Sequence, residues 1–204
     1  MSKDLIFYTN PMSRGRIVRW MLEEVGVPYD TVVLEYGTTM KDADFLAINP
    51  MGKVPAIRHG QAAVTEAAAI CAYLADAFPD AGLAPAADKR AAYYRWFFYA
   101  AGPVEAAVTN KSLGVTPSAE QQRSVGYSSM DAVLDTLERA VNEAPYLGGD
   151  RFSAVDVYAG SQIGWGLQFG TLEKRAAFED YWARINDRPA KARADEIDDS
   201  LMQA

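Results

Sequence analysis

The sequence predicts an α/β layer in the first part of the chain, followed by an all-α segment. Three observations predict it. Up to residue 78, short apolar runs bounded by Gly, Pro or Asn alternate with helix-length amphipathic stretches. Composition then shifts over residues 79–87, Pro-Asp-Ala-Gly-Leu-Ala-Pro-Ala-Ala, which reads as a linker. Beyond residue 88 the chain carries helical periodicity and helix caps and no strand pattern.

Residues 4–9, Asp-Leu-Ile-Phe-Tyr-Thr, read as a buried strand broken by Asn10-Pro11. Ser13 suits the cap of a helix over about 14–25, with Ile17, Val18, Trp20, Met21, Leu22 and Val25 apolar and Gly26 and Pro28 ending it. Residues 29–34 read as a second strand. The opening is therefore a βαβ unit with parallel strands. A short helix over 40–48 and a turn at 49–52 follow. Then come a strand at 53–58, a hairpin turn at His59-Gly60, a returning strand at 61–64 and a helix over 65–78. The order βαβ-α-ββ-α is that of a thioredoxin-like layer, assigned to residues 1–78.

The helical domain is assigned to 88–204. Asp88 suits the cap of an aromatic helix, Tyr93-Tyr94-Arg95-Trp96-Phe97-Phe98-Tyr99, which Gly102-Pro103 should kink. Ser118 with Gln121 forms a capping box for a helix reaching about 144. Ser153 with Asp156 is an acidic version of the box, stapled by Phe152 and Val157. A helix over 173–187 stops before Pro189, and the acidic run from Asp195 to Asp199 reads as a solvated tail.

Bulk properties narrow the function. Half of the 204 residues are hydrophobic, enough for a core without staples or a structural metal. Cys71 is the only cysteine and His59 the only histidine. That excludes an intramolecular disulfide, a thiolate cluster and a His-rich metal site, and leaves little room for a Ser-His-Asp hydrolase. A net charge of -7 argues against nucleic-acid binding. No apolar run approaches the roughly 20 residues of a membrane span, and residues 1–4 lack the features of a signal peptide. A cytoplasmic protein without metal is expected.

Four segments carry a resemblance: Tyr8-Thr9-Asn10-Pro11-Met12-Ser13-Arg14, Asn49-Pro50-Met51-Gly52-Lys53-Val54-Pro55-Ala56-Ile57, Thr65-Glu66-Ala67-Ala68-Ala69-Ile70 and Phe152-Ser153-Ala154-Val155-Asp156-Val157-Tyr158. In this order and spacing the chain resembles the cytosolic glutathione transferases. The position of Ser13 is most similar to the theta and beta classes.

The resemblance implies glutathione as co-substrate, a hydrophobic electrophile as second substrate, and a homodimer formed between one N-terminal domain and the partner's C-terminal domain. A free thiol has a pKa of about 8.5, so the protein must stabilise the thiolate. Ser13, at a helix start, supplies a hydroxyl donor, and Arg14, Arg16 and Arg19 add positive charge or equally form a solvated helix face with one of them reaching the site. A serine there also serves as a plain helix cap. Tyr8 and Asn10 compete for the catalytic role, Tyr8 having strand core as its other reading. Val54-Pro55 resembles a cis-proline turn whose Val54 N–H and C=O pair with the cysteinyl part of glutathione, an edge-strand proline with a trans bond being the other reading. Glu66 and Ala67, opening a helix, suit the γ-glutamyl end, with simple complementarity to the helix dipole as the other reading of Glu66. Lys53 and, as the weaker candidate, Lys41 suit the glycyl carboxylate or are ordinary surface lysines. Ala67 stands where the family usually has serine, removing one hydroxyl donor. Aromatic residues at 93–99, with Trp165 and Phe169, read as core or as walls of the electrophile pocket. Cys71 reads as buried packing, His59 as exposed, and Asp156 as a folding residue. The implied activity is glutathione transfer to electrophiles. The alternatives are a catalytically weak glutathione- or ligand-binding member, or a glutathione-dependent peroxidase.

Overall fold

The computed structural model describes residues 4–202. Residues 1–3, on which the expectation of no signal peptide partly rests, lie outside them. Two compact units emerge: residues 1–83 with 188–204, and residues 84–187.

The first unit is built on a four-stranded sheet of order β2-β1-β3-β4. The strands are β1 (Leu5–Thr9), β2 (Asp30–Val33), β3 (Ala56–His59) and β4 (Ala62–Thr65). β1 pairs parallel with β2 and antiparallel with β3, and β3 antiparallel with β4. Its helices are α1 (Gly15–Val25), the one-turn α2 (Ala43–Leu46) and α3 (Ala67–Ala77). Strand alternation sorts β1 between two faces. Tyr8, with Ile6 packed against it, joins Leu34, Met40, Phe45 and Ala56 on one side. Leu5, Phe7 and Thr9 point to the other, where Arg19 of α1 lies over the Phe7 ring at 4.9 Å.

The hairpin turn falls one residue later than the sequence suggests. His59 is the last residue of β3, and Gly60 with φ 58° makes the turn. Nor is His59 exposed: its Nδ1 lies 3.0 Å from the Tyr73 hydroxyl and its ring stacks on Phe78 at 5.3 Å. Cys71 is fully buried in α3, and burial pushes its thiol pKa up, away from nucleophilic use.

The second unit contains α4 (Ala91–Tyr99), α5 (Glu105–Ser112), α6 (Met130–Glu143), α7 (Ala154–Phe169) and α8 (Ala176–Asn186). A π-helical turn over Ala100–Val104 carries Gly102 and Pro103 between α4 and α5. The expected kink is thus absorbed by one wide turn, which dispenses with the N–H that Pro103 lacks. Asp88 lies in a 3-10 turn, and the cap position of α4 belongs to Arg90. Ser118 and Gln121 do form their reciprocal bonds, 2.8 and 3.3 Å. They close only the 3-10 turn Gln121–Arg123, and α6 begins at Met130, capped by Ser129. The chain is interrupted between them at Ser128, whose φ is 61°.

The box at Ser153 and Asp156 forms as expected and opens the buried α7. Asp156, 0 % exposed, accepts from Leu147 N–H (2.8 Å), Ser153 N–H (2.9 Å), Ser153 Oγ (3.0 Å) and Tyr181 Oη (2.7 Å). Burial raises its carboxyl pKa, and these bonds oppose the rise. Close approach of α8 requires glycine on α7: a Cβ at Gly164 would lie 2.7 Å from the Trp182 ring.

The largest departure is at the C-terminus. Residues read as the end of the helical domain, with a solvated acidic tail, form α9 (Pro189–Leu201), which belongs to the first unit. Ala190, Ala194 and Asp198, one helical face, are buried against α1. This explains why residues 17–22 of α1 are buried without interruption: the sheet lies on one side and helices α3 and α9 on others.

Candidate active site

The sheet register gathers the sequence-predicted residues at one end. Tyr8 pairs with Ala56, and Ala56 with Thr65. β1 runs toward that end and leads into residues 10–14, β3 starts there after Val54-Pro55, and β4 ends there before Glu66. Segments far apart in sequence thus share one rim of the first unit.

The loop after β1 is tightly fastened. Asn10 is buried, its Nδ2 donates to Leu34 C=O (2.9 Å), and its Oδ1 accepts Met12 N–H (3.0 Å). Its carboxamide therefore ties β1 to the residue after β2, rather than pointing a donor outward. Tyr8 is buried in the sheet core beside Phe45, ring centroids 5.7 Å apart. Ser13 is half-buried. Its hydroxyl donates to Asn10 C=O at 2.6 Å and accepts Gly15 N–H at 2.9 Å. The formal cap residue is Arg14, which makes no side-chain cap bond, and Ser13 supplies the capping oxygen two residues ahead of Gly15. Cap and donor roles therefore meet in one hydroxyl.

The expected positive field is corrected. Arg16 pairs with Asp199 at 2.7 Å and Asp195 at 3.5 Å. Arg19 is buried, pairs with Asp198 at 3.1 Å, and donates to Tyr29 Oη and Thr31 Oγ1, both at 2.9 Å. Burial pushes the Tyr29 hydroxyl up to about 12, so it remains a donor to Glu23. The arginines of α1 are engaged by α9 and β2. At Ser13 there remain the helix start itself and the adjacent, exposed Arg14. Sequence reasoning missed this clasp, although arginines at 16 and 19 complement carboxylates at 195, 198 and 199 in helical spacing.

Burial raises the Asp198 carboxyl above its ordinary value, against the pull of Arg19. The folded state then holds that proton more tightly than the unfolded chain. Its contribution to stability is fully present below the ordinary carboxylate value of about 3.9 and is lost as pH rises through the folded value. Asp198→Asn should cost about 1–3 kcal/mol at neutral pH and remove this slope. Denaturant melts of both proteins at several pH values check it; identical pH slopes would contradict the assignment.

The Val54–Pro55 peptide bond is cis. Among the described residues, neither the N–H nor the C=O of Val54 takes part in a backbone hydrogen bond, while its side chain packs against the Tyr8 cluster. Asn49 Nδ2 donates to Lys53 C=O at 2.7 Å, and Lys41 Nζ to the carbonyls of Met51 (3.1 Å) and Gly52 (3.0 Å). Lys41 is thus a fastener of this loop, and the Lys53 side chain projects into solvent. Gly52 makes the fold possible: its φ is +56°, and a Cβ would lie 2.7 Å from Met40 C=O.

Glu66 carries a backbone outlier, φ 68° and ψ 119°, at the cap of α3. Such a conformation costs of order 1–3 kcal/mol in a residue with a side chain. Its carbonyl accepts Ile70 N–H, its side chain is exposed, and Ala67 behind it is buried. The first N–H groups of α3 open toward the rim without a side-chain cap. In the second unit Tyr93, Trp96 and Phe97 are core, Trp165 is half-buried, and Tyr94, Phe98 and Phe169 are exposed. Among the described residues, no group of His, Cys, Asp or Glu is placed to hold a metal, and no helix is long and apolar enough to cross a membrane.

Residues 12–77 match the model of the glutathione S-transferase N-terminal domain. A glutathione S-transferase of Xanthomonas campestris is 30% identical over 192 residues, spanning 87% of this chain and 91% of that one. Glutathione S-transferase 3 of Zea mays is 30% identical over 74% of this chain and 73% of its own. Among solved structures, a glutathione transferase of Methylococcus capsulatus aligns with a TM-score of 0.78 at 26% identity, covering 96% of this chain and 99% of that one. A sphingomonad glutathione S-transferase complexed with glutathione aligns with a TM-score of 0.75 at 26% identity, covering 95% and 98%.

Proposed function

The chain belongs to the glutathione transferase family, and from that premise we propose that the rim of the first unit holds glutathione and that Ser13 stabilises its thiolate. The chain is an enzyme that transfers glutathione. The observation that carries the residue assignments is the sheet register, which brings Ser13, Val54-Pro55 and Glu66 to one end of the sheet.

Each part of glutathione meets a group suited to it. The γ-glutamyl carboxylate lies at the start of α3, on the N–H groups of Ala67 and Ala68. Glu66 pairs with the α-ammonium group; the strain in its backbone supports a functional reason for that geometry. The N–H and C=O of Val54 pair with the cysteinyl residue as an added strand would. Lys53 faces the glycyl carboxylate, with Lys41 holding its loop. Ser13 turns its hydroxyl proton from Asn10 C=O to the sulfur and lowers the thiol pKa by donating to the anion, so that the thiolate attacks the electrophile. Buried Tyr8 and Asn10 support this loop. A hydrophobic electrophile is the proposed second substrate, as the family resemblance implies. Detoxification by a cytoplasmic homodimer completes the reading, and light scattering at micromolar concentration should give twice the chain mass.

Retention on immobilised glutathione, with conjugation of a chloronitrobenzene, tests the activity. Glu66→Ala should weaken glutathione binding more than Lys53→Ala, because Glu66 is held in a fixed backbone geometry at the start of α3 whereas Lys53 projects from a loop on a long flexible side chain. Isothermal titration of the two variants decides it; equal or reversed losses would move the ammonium contact away from Glu66.

A further inference from the structure

Three observations meet at the first residue of α1. Thr9, the last residue of β1, is 0 % exposed, and its hydroxyl has no hydrogen-bond partner among the described residues. An unpaired buried hydroxyl costs about 1–3 kcal/mol, and valine would fill nearly the same space without that cost. Gly15 abuts this hydroxyl: a Cβ at residue 15 would collide with Thr9 Oγ1 and lie 3.0 Å from Ser13 Oγ. The two hydroxyls therefore border one small space that a glycine keeps open. Finally, Ser13 Oγ gives its proton to Asn10 C=O and accepts Gly15 N–H, leaving one lone pair for a further donor.

We propose that Thr9 is a positioning residue for the Ser13 hydroxyl, an inference that rests on the reading of Ser13 as the thiolate donor. When Ser13 turns its proton from the Asn10 carbonyl to the sulfur of glutathione, the Thr9 side chain turns within the space that Gly15 leaves and donates into the remaining lone pair of Ser13 Oγ, a bond it does not make in this structure. This fixes the turned hydroxyl and polarises it, since hydrogen bonds in a chain strengthen one another by about 10–30%. No covalent bond changes. Thr9 acts through Ser13 and does not touch the sulfur. Its place on the α1 face of the sheet, shared with Leu5 and Phe7, gives the hydroxyl this direction.

The test compares the thiol pKa of bound glutathione, read from thiolate absorbance, in wild type, Thr9→Val, Thr9→Ser and Ser13→Ala. Thr9→Val should raise that pKa by roughly half a unit, with glutathione affinity unchanged and a melting temperature equal to or above that of wild type. Thr9→Ser, which keeps the hydroxyl, should match wild type. An unmoved thiol pKa in Thr9→Val, alongside a raised one in Ser13→Ala, overturns this inference alone. A Thr9→Ser protein that behaves like Thr9→Val also overturns it. If Ser13→Ala leaves the pKa unmoved, the donor reading fails and this inference fails with it.

Discussion

Replacing Asp156 by alanine should cost about 3–5 kcal/mol, a large part of the 5–15 kcal/mol that holds a typical domain together. The cause is local. Four donors converge on a fully buried carboxylate: the N–H groups of Leu147 and Ser153 and the hydroxyls of Ser153 and Tyr181. Alanine leaves them facing apolar packing, and each unpaired group costs about 1–3 kcal/mol before relaxation. The network joins the turn before α7, the start of α7 and the middle of α8. Its loss should loosen the second unit rather than one helix end. Tyr181→Phe removes a single donor and should cost only about 0.5–1.5 kcal/mol. Denaturant unfolding of the two variants reads both values. A loss below about 1 kcal/mol for Asp156→Ala would mean that the network is not what holds α7.

Ser13→Ala should lower turnover at neutral pH by roughly tenfold to a hundredfold, less than the 10²–10³ seen on removing a donor from a well-sealed anion site. Glutathione affinity should change little, because its contacts are spread along the tripeptide. The activity loss should shrink as pH rises, since an unassisted thiol ionises by itself above about 8.5. A stability loss should accompany it, about 0.5–2 kcal/mol, because the same oxygen caps Gly15 N–H and the hydroxyl closes the loop onto Asn10. Kinetics across pH separate the two contributions: a purely structural serine would give a pH-independent activity deficit.

Much of the fold is legible locally. Gly26, with its positive φ, ends α1 where the sequence says a helix must stop, and the Ser153–Asp156 box opens α7 as its spacing requires. What local patterns do not contain is competition between segments. The Ser118–Gln121 box forms but closes only the turn Gln121–Arg123, and the chain leaves helical geometry, Ser128 included, before Ser129 caps α6. Asp195, Asp198 and Asp199 look like a solvated run until Arg16 and Arg19 are placed opposite them. Pro189 at the first turn and alanines at 190 and 194 were the available signs of a packed helix. For the site, residue identities were readable, but the engagement of each polar group was not. Sequence could not say that the Asn10 carboxamide is taken by Leu34 and Met12, or that Lys41 fastens carbonyls. Thr9 escaped notice because a buried strand-end threonine leaves no pattern. It stands out only once its hydroxyl is seen without a partner beside Gly15.

The central claim, that the rim of the first unit binds glutathione and ionises its thiol, is most directly tested by titrating the thiolate absorbance of glutathione bound to the wild-type protein. The account predicts a midpoint clearly below the value of about 8.5 expected of a free thiol, and a midpoint that moves back toward that value in Ser13→Ala. A bound thiol that titrates at or above the free value in the folded wild-type protein would contradict it.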